Sequence, residues 1–177
     1  MAYYRDSFFR SYRNSIPEYT VKAMINEARE NYEWTKFDIF LSYNIKDKDV
    51  IEGIYMYLTK LGKRVYLDFI VDPQLVRENA SLNTAKIIRS RLRHSQQLIY
   101  AMSCNSSESK WMPWELGVAD GEGCVCNILP ISSAYFKDFV RKEYLQLYPI
   151  LEQFSDFYTP TSYMGYRNQD GDVVRFK

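Results

Sequence analysis

The stretch Phe37-Asp-Ile-Phe-Leu-Ser-Tyr43 decides the fold. It is short and almost continuously apolar, the pattern of a strand covered on both faces, where one wetted face would leave a strict alternation. The period then changes. Between about Asp47 and Leu61, the residues Val50, Ile51, Ile54, Leu58 and Leu61 fall on one helical stripe, and Gly62 closes it. Lys63-Arg-Val-Tyr-Leu-Asp-Phe69 reads as a second strand, followed by a loop through Asp72-Pro73. A helix over Ser81 to Ser95 carries Leu82, Ala85, Ile88 and Leu92, and Gln97-Leu-Ile-Tyr-Ala-Met-Ser103 is a third strand. A polar loop (Cys104 to Lys110) leads to a helix with Trp111, Trp114, Glu115 and Leu116, then to a fourth strand, Cys124-Val-Cys-Asn-Ile-Leu-Pro-Ile131. A helical stretch from about Phe136 to Phe154, broken near Pro149, completes the pattern.

Strands alternating with helices of this length make βαβ units, and right-handed crossovers put helices on both faces of a mostly parallel sheet. The expected architecture is α/β: a flavodoxin-like doubly wound sheet of about five mostly parallel strands in the order 2-1-3-4-5. Residues 1–36 read as an added segment. Tyr3, Tyr4, Phe8, Phe9 and Tyr12 form an aromatic cluster without strand alternation, and Ser15-Ile-Pro-Glu18 resembles a capping box opening a helix from Pro17 to Tyr32. Residues 37–158 form the main domain, and 159–177 a tail in which Asp170-Gly171 signals a hairpin.

Composition narrows the function. With 46% hydrophobic and 25% charged residues the chain is neither a disordered tail nor a coiled coil. Its net charge of +1 lacks the basic excess of a protein living on nucleic acid or anionic lipid. Three cysteines without a CxxC pair point to a reducing compartment, and the single His94 far from Cys124 and Cys126 argues against a metal site. No apolar run approaches the ~20 residues of a membrane span, and the amino terminus lacks a secretory h-region, so a cytoplasmic location is expected.

In a sheet wound this way, ligands bind beyond the carboxyl ends of strands 1 and 3, where the winding reverses. Those ends are Ser42-Tyr43-Asn44 and Ser103-Cys104, with the Trp111–Glu115 helix behind them. Neither GxGxxG nor a P-loop nor GxSxG occurs, which disfavours ordinary nucleotide binding and serine hydrolysis. On position alone Glu115 reads as an exposed helix glutamate, Trp111 and Trp114 as core, and Asp68 as a cap or bridge. Lys86, Arg89, Arg91 and Arg93 read as a solvated basic face, His94 as a cation at a helix end, and Asp47 and Asp49 as first-turn carboxylates.

Three landmarks in order carry a resemblance. Asp38-Ile-Phe-Leu-Ser-Tyr43 resembles the first conserved box of Toll/interleukin-1 receptor (TIR) domains, Val65-Tyr-Leu-Asp68 the end of their second strand, and Ser109-Lys-Trp-Met-Pro-Trp-Glu-Leu116 their signature of serine, tryptophan and a glutamate four places on. The resemblance covers about Phe37 to Tyr158 and implies the flavodoxin-like fold. For the NAD-cleaving, bacterial-type branch it implies NAD+ as substrate with no further cofactor and no metal. It also implies Glu115 as the catalytic carboxylate, with Ser42, Tyr43, Asn44, Asp68 and Trp111 as substrate-binding residues. The segment from Asp68 to about Gln74 matches the family's BB loop, although it lacks the usual glycine, and self-assembly through TIR–TIR contacts is implied. The expected activity is nicotinamide–ribose cleavage giving ADP-ribose or a cyclic isomer, with a separate effector sensing the product in antiphage defence. A non-enzymatic TIR adaptor and a nucleoside deoxyribosyltransferase-like enzyme are the alternatives.

Overall fold

The computed structural model describes residues 3–30, 36–75, 81–132, 143–155 and 162–176. Five parallel strands form the central sheet: β1 (Tyr4–Arg5), β2 (Phe37–Ser42), β3 (Val65–Tyr66), β4 (Ser95–Met102) and β5 (Val125–Ser132), in the order β1-β5-β4-β2-β3. The expected 2-1-3-4 order is present, and its reversal lies between β2 and β4. Ser42 there stands opposite Tyr100. The middle strands are buried on both faces, as the continuous apolar runs demanded: Ile39, Phe40, Leu98, Ile99, Ile128 and Leu129 are all fully enclosed.

The fifth strand is the amino terminus. Tyr4 pairs with Ile131 and Arg5 with Ser132, so a segment read as a strandless aromatic cluster closes the sheet edge. Helix α1 (Asp6–Asn14) follows at once and lies against α3 (Lys48–Lys60). The approach is close enough that a Cβ on Gly53 would sit 2.2 Å from the Phe9 carbonyl oxygen, which only glycine avoids. Ion pairs from Arg10 to Asp49 (3.0 Å) and from Arg13 to Glu52 (3.3 Å) flank the contact. Ser15 does not open a capping box. It ends α1, its hydroxyl donating back to the Tyr12 carbonyl at 2.7 Å, and α2 (Glu18–Glu30) begins after Pro17.

Two further expectations are corrected. The second strand is only two residues long, because the chain turns at Leu67 into a short helix α4 (Asp68–Val71). The helix expected over Phe136 to Phe154 is not one where the chain is described. Glu143–Leu147 is a 3₁₀ turn, Ile150 bridges to Ile128 in parallel, and Glu152–Ser155 is strand β6. Residues 133–142 lie outside the described residues. Strand β6 joins β7 (Ser162–Arg167) and β8 (Val173–Arg175) in an antiparallel sheet. The β7–β8 hairpin is the one Asp170-Gly171 signalled, with Gly171 at φ +88°, a conformation that favours glycine. Among the described residues no helix is long and apolar enough to cross a membrane.

Candidate active site

Helix α6 (Trp111–Gly121) begins with Ser109 Oγ accepting the Met112 N–H at 3.2 Å. Pro113 falls in the first turn, where its missing N–H costs nothing. Met112, Leu116 and Ala119 point inward at helical spacing, and Glu115 shares that stripe. The structure therefore makes Glu115 fully buried, against the exposed position its place in the sequence suggested. Ser42, also fully buried at the end of β2, donates from Oγ to Glu115 Oε2 at 2.5 Å. A carboxylate shut away from water needs such donors, since burial without them costs several kcal/mol. Tyr100, opposite Ser42, has its phenol held well above its ordinary value by burial, by neighbouring Tyr144 and by the Glu115 charge.

Beside this pair opens a cavity of about 1000 Å³, walled among others by Tyr43, Asn44, Lys46, Arg89, Trp111 and Trp114. That volume stands at the upper end for sites that hold drug-sized ligands. Trp111 and Trp114 meet edge to face, with ring centroids 5.5 Å apart. Ser42 and Glu115 do not line the cavity, but their chain neighbours Tyr43, Asn44, Trp111 and Trp114 do. Among the described residues three cations line it, Lys46, Arg89 and Lys110, against one carboxylate, Glu108, which is paired with Lys46.

The loops that carry these residues are cross-linked. Asn44 donates from Nδ2 to the Asn105 carbonyl at 2.7 Å while its Oδ1 accepts the Lys46 N–H at 3.0 Å. Asp47 was expected to serve only its own helix. Its carboxylate instead reaches the loop after β4, accepting from Ser103 Oγ at 2.5 Å and from Asn105 Nδ2 at 2.6 Å. Nothing in the sequence marked that bridge, which joins residues 56 and 58 positions apart.

Asp68 is buried and lies outside the cavity wall. It accepts from Tyr43 Oη at 2.6 Å and from the Phe69 N–H at 2.9 Å, so its link to the cavity wall runs through Tyr43. The basic face of α5 (Leu82–Arg93) is not uniformly solvated. Arg91 grips buried Asp72 with two bonds, of 2.9 and 3.0 Å, and Tyr66 Oη donates to the same carboxylate at 2.9 Å. Arg89 turns into the cavity, its guanidinium 5.9 Å from the Trp114 ring centre. His94 caps the end of α5, its Nδ1 2.7 Å from the Ser90 carbonyl oxygen.

Comparison with known proteins shows the family of the chain. The chain is 37% identical over 158 residues to a Bacillus cereus (strain MSX-D12) protein named probable 3' cyclic ADP-D-ribose synthase ThsB'; the match spans 88% of this chain and 82% of that one. It is also 33% identical over 81 residues to a Cytobacillus dafuensis protein named putative cyclic ADP-D-ribose synthase TIR2, covering 45% of this chain and 21% of the relative. The chain belongs to the bacterial-type TIR domain family. No protein-family model matches it. Among solved structures, the TIR domain of the Toll-related receptor TRR-2 from Hydra magnipapillata superposes with a TM-score of 0.41 at 18% identity, over 59% of this chain and 81% of that one. In this TIR domain the three sequence landmarks converge: the first box supplies Ser42, Tyr43 and Asn44, the second-strand end supplies Asp68 behind Tyr43, and the tryptophan–glutamate signature supplies Trp111 and Glu115.

Proposed function

We propose that this TIR domain cleaves NAD+ at the bond between ribose C1′ and the nicotinamide nitrogen, with Glu115 as the catalytic carboxylate. The product, ADP-ribose or a cyclic isomer, then signals to a separate effector in antiphage defence. The observation that carries the reading is Glu115 itself: a buried carboxylate at the reversal of sheet winding, one helical turn from a tryptophan in the wall of a large cavity. The names of the two relatives, both cyclic ADP-D-ribose synthases, support it.

One carboxylate suffices for this chemistry. Ordinary glycosidases use two, one of them to protonate an alkoxide leaving group. Nicotinamide in NAD+ is already cationic; when the C1′–N bond breaks, the electron pair goes to the ring nitrogen and a neutral molecule leaves. The enzyme has only to stabilise the positive charge that grows on the ribose, which an ionised Glu115 does electrostatically. Water adding to C1′ with loss of a proton gives ADP-ribose; a hydroxyl of the same molecule adding there gives a ring. Tyr43 and Asn44 stand where the nicotinamide ribose enters, and Trp111 offers a face for stacking. Because Ser42 and Glu115 sit just outside the cavity wall, substrate entry has to open the floor between Tyr43 and Trp111 so that the carboxylate meets the sugar.

The sealed position of Glu115 also favours a second reading, an adaptor that assembles without cleaving NAD+. Ile45 and Leu82, 62% and 84% exposed at the cavity, would then dock another protein. Concentrated protein incubated with NAD+ separates the two. The enzyme reading expects released nicotinamide and an adenine-containing product, linear and cyclic forms differing by one water in mass. NAD+ left intact would leave the adaptor reading standing.

A further inference from the structure

We infer that Arg89, assisted by Lys110, is the pyrophosphate-binding and specificity-determining element of this site, selecting a dinucleotide over a nucleoside. The inference rests on the cleavage reading for the identity of the substrate and on the following geometry for the rest.

Three arginines stand on α5, and they differ in how their charge is answered. Arg91 is matched to buried Asp72 through two bonds. Arg93 pairs with Glu122 at 2.8 Å. Arg89 makes no ion pair among the described residues. It lies over Trp114 instead, in the wall of the cavity. A guanidinium held against a ring keeps its N–H edge directed outward, pre-arranged for an oxyanion, and is fixed at lower entropic cost than a free lysine.

The rest of the wall agrees in sign. With Lys46 paired to Glu108, the cations left on the described wall are Lys110 and Arg89, the latter making no ion pair and feeling only the field of the Glu122 carboxylate, which Arg93 already grips. The pyrophosphate of a dinucleotide carries two negative charges. Ser81, Leu82, Ala85 and Arg89 occupy one face of α5, so the amino-terminal end of that 12-residue helix opens on the same space. Its partial positive charge adds to the attraction. Trp111 provides a face for one base, so a ligand with an aromatic end and an anionic middle fits the wall, and a nucleoside, which lacks the pyrophosphate, leaves Arg89 unused.

Isothermal titration of the full chain with ADP-ribose and with nicotinamide riboside tests this. ADP-ribose holds the pyrophosphate but no bond to cleave, so its binding reports on the cations apart from catalysis. Arg89→Ala is expected to weaken ADP-ribose binding about tenfold, as for the loss of one charged hydrogen-bonding partner. Arg89→Lys should lose less, Lys110→Ala a few-fold, and added salt should weaken the wild type. Nicotinamide riboside should be bound no worse by Arg89→Ala than by wild type, and the melting temperature should not move, since Arg89 is exposed. Unchanged ADP-ribose affinity in Arg89→Ala, an equal loss for both ligands, or a wild type that does not bind ADP-ribose would each overturn the inference. The two readings fail separately. NAD+ left intact by a protein whose ADP-ribose affinity depends on Arg89 would sink cleavage and keep the anion site. NAD+ cleaved by Arg89→Ala with an unaltered KM would sink the anion site and keep cleavage.

Discussion

At the β1 edge of the sheet, Tyr4, Phe8, Phe9 and Tyr12 gather around Tyr57 of α3 with ring centroids 5.5 to 6.2 Å from it. At the other place where distant segments meet, beyond the ends of β2 and β4, the joints are polar: Ser42 to Glu115, and Asp47 to Ser103 and Asn105, at 2.5 to 2.6 Å. The contrast separates two kinds of cohesion. Apolar contact is non-directional and scales with area, so truncation there costs stability while the active-site geometry survives. Hydrogen bonds are directional and of modest net worth, so losing one costs less stability and more alignment. The amino-terminal segment is thus a structural member of the TIR sheet, and the polar bridge joins the loops that follow β2 and β4.

Phe9→Ala makes the first attempt to break that division. Phe9 is fully buried, and truncating such a ring costs about 3–5 kcal/mol. For a chain of this size that lowers the melting temperature by roughly 10 °C, measured by thermal denaturation. Turnover of NAD+ per folded molecule at low temperature should hold; a lost activity with an unchanged melting point would reverse the comparison.

Ser42→Ala probes the polar side. Removing the donor from the buried Glu115 carboxylate is expected to cost about 1–3 kcal/mol, expressed as a roughly tenfold or larger fall in turnover alongside a melting shift of only a few degrees. Ser42→Thr should restore part of the rate. A melting shift as large as that of Phe9→Ala with turnover intact would show Ser42 to be core.

Asp47→Asn is a milder change at the same end. The amide oxygen can still accept from Asn105 Nδ2 and its NH2 can donate to Ser103 Oγ, so both contacts persist without the charge that strengthened them, a loss of about 1 kcal/mol. A several-fold loss of turnover with little change in melting is expected, and full activity would show that the bridge does not set the site.

The smallest effect concerns the apolar interior under alkali. Burial pushes the Cys126 thiol up from its ordinary 9.0 to about 12 and raises the Tyr4 and Tyr100 phenols. These groups keep protons in the folded state that the unfolded chain releases. Their contribution is therefore whole below about pH 9 and declines as pH climbs toward 12. Melting temperatures should be flat in this respect below pH 9 and fall above it; a rise would contradict the burial described here.

Much of this was legible in the residues, and what was not has physical causes. The strands beginning at Phe37, Gln97 and Cys124 announced themselves because a strand buried on both faces reads as an unbroken apolar run. Strand β1 could not, since two residues hold no period and its register depends on Ile131, far along the chain. The stretch 143–155 misled because an apolar run without a visible partner suits helix and strand equally. Its true partners are Ile128 and the β7 strand. The landmarks pointed to Tyr43, Asn44 and Trp111, and the structure puts all three on one cavity wall. The burial of Glu115 is written in the spacing of Met112, Leu116 and Ala119, whose inward stripe it shares, while Trp111 and Trp114 line the cavity. Arg89 and Asp47 stayed hidden because their roles arise from segments that only the fold brings near.

The central claim is that the buried carboxylate of Glu115 does the chemistry, and the most direct test is nicotinamide release from NAD+ by concentrated wild type and Glu115→Gln side by side. Glutamine keeps the shape and can still accept from Ser42, so the fold is retained while the charge is removed. The account predicts at least about a hundredfold slower release at a similar melting temperature, the scale seen when one preorganised electrostatic group is deleted. Release at the wild-type rate by the glutamine variant would contradict it.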